Sequence, residues 1–179
     1  HDAGRFSMFV RRALPNASDD EVLDRVSLGH AMLLTLRGVP TIYSGGEQGF
    51  VSDEGDQGAR EDMFPSKVAS YKDNRLIGTD KTTAVSNFDT AHPLYRLIAT
   101  LAKVRADTPA LRRGRQGVRA SGQKSGLFAA SRFDPDTGKE VLLAFNTSTQ
   151  PISQNVVVEV GSQRFTALAG QCATEASAP

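Results

Sequence analysis

The chain opens on a histidine and an aspartate, His1-Asp2, and carries a glutamate, Glu47, behind a short apolar run and two glycines. A His-Asp pair at a terminus does nothing by itself. It acquires chemistry if helix and strand alternate after it, because residues at the carboxyl ends of parallel barrel strands share one face of the fold. His1-Asp2 would then end one strand, and Glu47 would lie just past the end of the next. Two carboxylates on one rim make a polar site of the kind that binds sugar hydroxyls. Between Glu47 and Asp62 six carboxylates stand against one cation, Arg60. Asp53, Glu54 and Asp56 are hard oxygen donors, yet Asp-Glu-Gly-Asp lacks the full spacing of a calcium loop, and solvated loop acids are the plainer reading. Cys172 is the one cysteine, so no disulfide forms within the chain; it reads as a free thiol or as the partner of a residue beyond Pro179.

The positioning elements follow from periodicity and punctuation. A helix is predicted over about 19–37: Ser18 and Glu21 make a capping-box pattern, Asp19 and Asp20 suit the positive end of the dipole, and Arg37-Gly38 close it. Its apolar face is read as Val22, Leu23, Val26, Met32, Leu33 and Leu36. Val39-Pro-Thr-Ile-Tyr43 reads as a buried strand with Pro40 near its first residue. From Gly46 to about Asp89 the chain is polar, glycine-bearing and irregular, a length that is usually functional when it occurs. A second helix is predicted from about Pro93 to Asp107, with Leu94, Leu97, Ile98, Leu101 and Val104 inward and Thr108-Pro109 ending it. After an Arg/Gly/Gln/Ser-rich passage (112–125) the period becomes two. Strand-like runs are read at 127–133, 140–145, 155–160 and 164–168, with Asp134-Pro-Asp-Thr-Gly138 as a hairpin turn.

Bulk properties exclude more than they assign. With 39% hydrophobic and 23% charged residues and a net charge of +1, the chain has the composition of an ordinary globular protein. Arg112, Arg113 and Arg115 form the one tight basic cluster, which is not the footprint of a nucleic-acid binder. The longest apolar run, around 31–36, is far too short to span a bilayer. The opening on polar residues without Met reads as a piece of something longer, so the absence of a leader says nothing about secretion.

Three motifs in order carry a resemblance. His1-Asp2-Ala-Gly-Arg5-Phe6, then Gly38-Val-Pro-Thr-Ile-Tyr43-Ser-Gly-Gly-Glu47-Gln-Gly-Phe50, then Arg60-Glu-Asp-Met-Phe64 resemble the α-amylase family of glycoside hydrolases. The helix after His92-Pro93-Leu94 resembles the last barrel helix of that family, and the period-two segment its carboxyl-terminal β-sandwich. The resemblance implies an α/β plus all-β chain: residues 1–112 as the end of a (β/α)8 TIM barrel (end of strand 7, helix 7, strand 8, helix 8), and 113–179 as an incomplete antiparallel β-sandwich. It implies that Asp2 is the carboxylate that stabilises the transition state and that His1 binds the same sugar. Arg5 lines the site or pairs with an acidic neighbour, and Glu47 is structural before it is substrate-binding. Tyr43, Phe50 and Phe64 are candidates for stacking on sugar rings, although core or loop packing is the commoner role for any one of them. The sequence departs from the family at Gly46, where relatives often carry an acid, and the Asn expected before His1 lies outside the chain.

The resemblance further implies a retaining hydrolase of α-1,4-glucosidic bonds in starch or maltooligosaccharides, an α-glucan partner, and neither nucleic acid nor membrane. A retaining enzyme needs a nucleophile and an acid/base, which the family takes from strands upstream of this segment, so the segment alone is expected to be inactive. No cofactor or metal is required by these residues, while calcium belongs to some full-length members. Polymeric substrates do not enter cells, which favours a secreted or periplasmic enzyme. Three rivals stand beside this reading: a sucrose- or trehalose-handling transglycosylase or isomerase of the same family, a non-catalytic scaffold, and a β part acting as a carbohydrate-binding module. Against the last, Phe128, Phe133, Phe145 and Phe165 fall at core-like positions, and the chain has no Trp.

Overall fold

The computed structural model describes residues 4–52 and 55–170. It divides into two compact units, one containing the chain up to Ala31 with Pro40–Thr100, the other Met32–Val39 with the chain from Leu101 onward. Helix α1 spans Phe6–Ala13, α2 Asp19–Thr35, α3 Pro93–Asp107 and α4 Pro109–Arg113. Strands β1 (Arg115–Ala120), β2 (Leu127–Phe133) and β3 (Glu140–Asn146) follow.

In the first unit the core is Val22, Val26, Ile77 and Leu94, with Val10, Ala17, Leu23 and Val51 packed around it. Ser18 accepts a hydrogen bond on Oγ from the Glu21 amide at 3.1 Å, so half of the expected capping box forms. Glu21 itself pairs with Arg25 one turn on, at 2.7 Å, so this half-buried i,i+4 pair replaces the return bond to Ser18. The buried stripe of α2 runs Val22, Val26, His30, Leu34, while Leu33 is 41% exposed. Sequence placed Leu33 inward because leucine, alanine and methionine fall on every side of the helix over 28–36, interrupted by His30 and Thr35, and such a pattern does not choose a face.

The predicted strand at 39–43 forms no ladder, and Val39 is almost fully exposed. A strand needs a neighbouring strand to take its N–H and C=O groups, and among the described residues none lies beside this run. The run ends instead in a tight turn, with the Gly46 amide donating to the Tyr43 carbonyl at 2.8 Å. The described part of the irregular stretch from Gly46 to Asp89 is nonetheless held by its own side chains. Leu76 and Ile77 are buried in it, and Asn87 Nδ2 donates to the Thr82 and Val85 carbonyls. Helix α1 was not read from sequence: eight residues beginning Phe-Ser-Met-Phe show too few turns for a period to emerge.

His92 supplies the start of α3. Its Nδ1 accepts from the Leu94 amide at 3.2 Å, and its Nε2–H donates to the Ile77 carbonyl at 3.0 Å. Both bonds hold only for the neutral ring with the proton on Nε2. Burial pushes the imidazole below its ordinary value, with opposition from the Ile77 carbonyl, Asp89 and the Glu47 backbone, while Lys81 adds to the depression. For a histidine depressed in the folded state, the stability is fully present above the unfolded pKa, near 6.5. It is lost as pH falls from there towards the folded value. The expected result is a melting temperature that drops on acidification from pH 7 to 5, with a smaller drop in His92→Asn, which can still cap the helix. Equal slopes for the two proteins, measured by thermal unfolding across that range, would exclude the role.

In the second unit β1, β2 and β3 form one antiparallel sheet in that order. Arg115 pairs with Phe133 in one ladder and Leu127 with Asn146 in the other, and a bulge interrupts β1 between Val118 and Ala120. The predicted hairpin at 134–138 is present: Asp134 Oδ1 accepts from the Asp136 and Thr137 amides, and Gly138 takes φ +72°. Strand β1 was missed because its Gly, Gln and Arg residues read as linker. Helix α4 was missed because Pro109 was read as the end of α3, although it also opens the next helix at its first turn. The runs at 155–160 and 164–168 form no strands. Side chains hold the first of them to the sheet: Glu140 Oε2 accepts from the Glu159 amide (2.9 Å) and from Ser162 Oγ (2.7 Å). Cys172 lies outside the described residues.

Candidate functional site

His1 and Asp2, the leading candidates, lie outside the described residues, as do Asp53 and Glu54 of the calcium reading. Asp56 is tied to Arg60 at 3.4 Å. Among the described residues no three His, Cys, Asp or Glu side chains converge as a metal site would require. No described helix is long and apolar enough to cross a membrane.

Arg5 is the organising residue of what remains. It precedes α1 with extended backbone and is only 4% exposed. Its Nε–H donates to Glu61 Oε2 at 3.1 Å, and Nη1 donates to the Ser44 carbonyl at 2.8 Å. The guanidinium lies over the rings of Tyr43 and Phe50, with 4.7 and 4.9 Å to their centres. Burial lowers its pKa, and the charge of Glu61, then Tyr43 and Glu47, oppose that. Arg5 therefore sits in an aromatic sleeve, ion-paired at one edge, with its charge retained as guanidinium groups do. Glu61 is as deep as its partner, with no side-chain exposure, and its Oε1 accepts from Asn74 Nδ2 at 2.6 Å. Of the two readings offered for Arg5, the structure shows the ion pair with an acidic neighbour.

Glu47 is placed in a 3-10 turn, Gly46–Gln48, flanked by Gly45 (φ +89°) and Gly49 (φ +75°). Its Oε2 accepts from the Gly45 amide at 3.0 Å, so the carboxylate folds back on its own turn. Glu47 also borders an open, mostly apolar groove of about 430 Å³ lined by Ile42, Ser44, Tyr95, Ile98 and Ala99. Gln48 is nearly buried and exchanges two 3.1 Å bonds with the Asp89 backbone, which fixes the far end of the irregular stretch. A side chain at Gly46 would meet nothing closer than 3.9 Å, and His30 Nε2 is one of the nearest atoms. The acid expected there from the family would thus have room beside an imidazole.

Of the three aromatic residues proposed to stack on sugars, Phe50 is fully buried under Arg5 and is not available. Tyr43 presents 37% of its surface and Phe64 58%. Glu61, Gln48 and Asn74 were not singled out from sequence. Glu61 was one of six acids in a run, and no local pattern separates the one that is buried. In the β part, Phe128 stacks on Phe145 at 6.1 Å, and Phe133 is covered by Arg115 and Arg119.

No protein-family model matches the chain. Over 174 residues, 97% of its length, it is 40% identical to an alpha-amylase from Streptomyces lividans, and it spans 19% of that relative. A crystal structure of a MutB mutant in complex with glucose is similar at a TM-score of 0.59, covering 98% of this chain and 39% of that one. At 19% identity that likeness shows a shared fold and nothing finer. Two-fifths identity along nearly the whole chain is a relationship by descent: the chain belongs to the α-amylase family. It spans about a fifth of the curated relative's length.

Proposed function

We propose that the chain is the carboxyl-terminal portion of a retaining α-glucan hydrolase that cleaves α-1,4-glucosidic bonds in starch or maltooligosaccharides. In this reading residues 1–112 complete a (β/α)8 barrel and 113–179 begin a β-sandwich. Asp2 hydrogen-bonds the sugar hydroxyls beside the reacting carbon, most strongly as the ring flattens towards an oxocarbenium ion. His1 binds the same sugar. The nucleophile and the acid/base come from elsewhere in the full-length protein, and the enzyme is exported to meet its polymeric substrate.

One observation carries the reading beyond homology. Arg5, three residues after Asp2, is clamped by Ser44, Tyr43 and Phe50, the loop that also bears Glu47. Two motifs some forty residues apart are thereby fixed side by side, as a site assembled at neighbouring strand ends requires. The test is to incubate the full-length protein with maltooligosaccharides, sucrose and trehalose, following products and anomeric configuration by NMR. Release of α-configured maltooligosaccharides is expected. Isomerised sucrose or trehalose as the main product would move the enzyme to the transfer reading, and inertness on all three would leave a scaffold.

A further inference from the structure

Residues 155–162 stay beside the sheet of the second unit without joining its ladder. None of them is buried, and Val157 and Val160 are largely exposed, so apolar burial does little to hold them there. Polar contacts do so instead, and they converge on Glu140, the first residue of β3. The backbone doubles back at Gly161 (φ +94°), where the Ser162 amide donates to the Glu159 carbonyl at 3.0 Å. Glu140 Oε2 accepts from the Glu159 amide at 2.9 Å and from Ser162 Oγ at 2.7 Å. Its Oε1 accepts from Ser131 Oγ on β2 and, at 3.0 Å, from Arg119 Nη2 on β1. Arg119 further donates to Ser131 Oγ at 2.7 Å and to Glu159 Oε2 at 2.9 Å. One carboxylate, with 2% of its side chain exposed, therefore ties the segment to all three strands.

We propose that Glu140 is an acid-released clasp, which closes residues 155–162 onto the sheet while ionised and frees them ahead of the sheet once protonated. An ionised carboxylate accepts at both oxygens, whereas the acid carries a hydrogen on one of them, so one of its two faces must lose donors. The sheet has support of its own. Both ladders, and the buried Ala129, Ala130, Phe133, Leu143 and Phe145, are untouched by the loss, so the segment can open locally. The charged groups facing Glu140 are Arg119 from β1 and Glu159 from the segment itself, and β2 contributes the neutral Ser131. Burial pushes the Glu140 carboxyl up. The bonds from Ser131, Ser162 and the Glu159 amide, with the charge of Arg119, outweigh that and hold it below the ordinary carboxylate range. A carboxyl depressed in this way contributes stability that is fully present above the unfolded value, near 4.3. That stability is lost as pH falls from there through the folded value, so the clasp is closed at neutral pH and opens in acid.

The experiment is amide hydrogen exchange on the full-length protein, read by mass spectrometry at the Glu159 and Ser162 amides and, for comparison, along β2. Glu140→Gln has an acceptor at one edge only and stands for the protonated state. At pH 7 it is expected to exchange the Glu159 and Ser162 amides about tenfold or more faster than wild type, with β2 within about twofold. Wild type taken from pH 7 to 3.5 is expected to gain the same increase, after correction for the intrinsic pH dependence of exchange, while Glu140→Gln changes little further. Glu159→Gln keeps its own amide and is expected to retain the acid step. A folded Glu140→Gln with wild-type protection at Glu159 and Ser162 overturns the proposal. So does a wild type that loses protection at the segment and at β2 together, or a Glu159→Gln that has lost the acid step. If Glu140→Gln fails to fold, the wild-type pH series decides by the same criterion.

Discussion

Arg132→Ala should lower the melting temperature by about 6–12 °C, the equivalent of about 3 kcal/mol in a protein of this size. Arg132 is on β2 and only 1% exposed. Its Nη1 donates to the Thr35 carbonyl at 2.9 Å and its Nη2 to the Gly114 carbonyl at 3.0 Å. Arg105 works on the same end of α2, donating to the Leu34 and Gly38 carbonyls, and to Leu111. The last carbonyls of a helix lack partners of their own and carry the negative end of its dipole, so one buried and one half-buried guanidinium group are well placed there. Burial lowers the Arg132 pKa first, then the like charges of Arg105 and Arg37. Truncation to alanine would strand the Thr35 and Gly114 carbonyls and open a cavity the size of a long side chain. Arg132→Met should cost less, because it fills the space and removes a desolvated charge with it. Equal melting temperatures for wild type and Arg132→Ala would show that water or Arg105 takes over both carbonyls.

Gly49→Ala should destabilise the protein by a comparable amount and displace the Glu47 loop. A Cβ at Gly49 would stand 2.2 Å from the Ile77 carbonyl oxygen, a backbone atom that cannot swing away. The Ile77 amide also bonds to the Gly49 carbonyl at 3.0 Å, so the two segments are locked at this spacing. The left-handed φ of +75° adds about 1 kcal/mol for any L side chain, and overpacking against backbone about 1–3 kcal/mol. Gly46→Ala is the control: it sits in the same turn, its Cβ would meet His30 and Ile42 only at an ordinary contact distance of 3.9 Å, and it should change stability by less than about 0.5 kcal/mol. Denaturant unfolding of both variants checks the pair, and indistinguishable midpoints would refute the steric argument.

The residues that could be read from sequence were those whose neighbours are also neighbours in the chain. Ser18 marks the start of α2, Pro93 that of α3, and Asp134 to Gly138 the hairpin, all by local bonding that short patterns reveal. The strands at 127–133 and 140–146 were legible because each has a partner one turn away. The runs at 39–43 and 155–160 have strand-like residues and no ladder, and 164–168 carries a single bridge at Arg164, since a strand is a property of a pair and the pattern reports one member. The site divided in the same way. Arg5 was noticed through its motif, but its partner Glu61 lies 56 residues on. Nothing within the run from Glu47 to Asp62 distinguishes a buried acid from five others. Phe50 could be read as a stacking platform or, more plainly, as packing, and it is the wall behind Arg5; an aromatic in a glycine-rich loop looks the same in sequence whichever way it points.

The central claim is that Asp2 serves as a catalytic carboxylate of an α-glucan hydrolase, and one substitution addresses it. Asp2→Asn keeps size and most hydrogen bonding while removing the charge that, in the proposed role, meets a developing oxocarbenium ion. In the full-length protein, kcat on maltooligosaccharides is expected to fall by at least about 10³-fold, about 4 kcal/mol of transition-state stabilisation, with the fold intact by circular dichroism. A folded Asp2→Asn that hydrolyses the same substrate at a rate within a few-fold of wild type would contradict it.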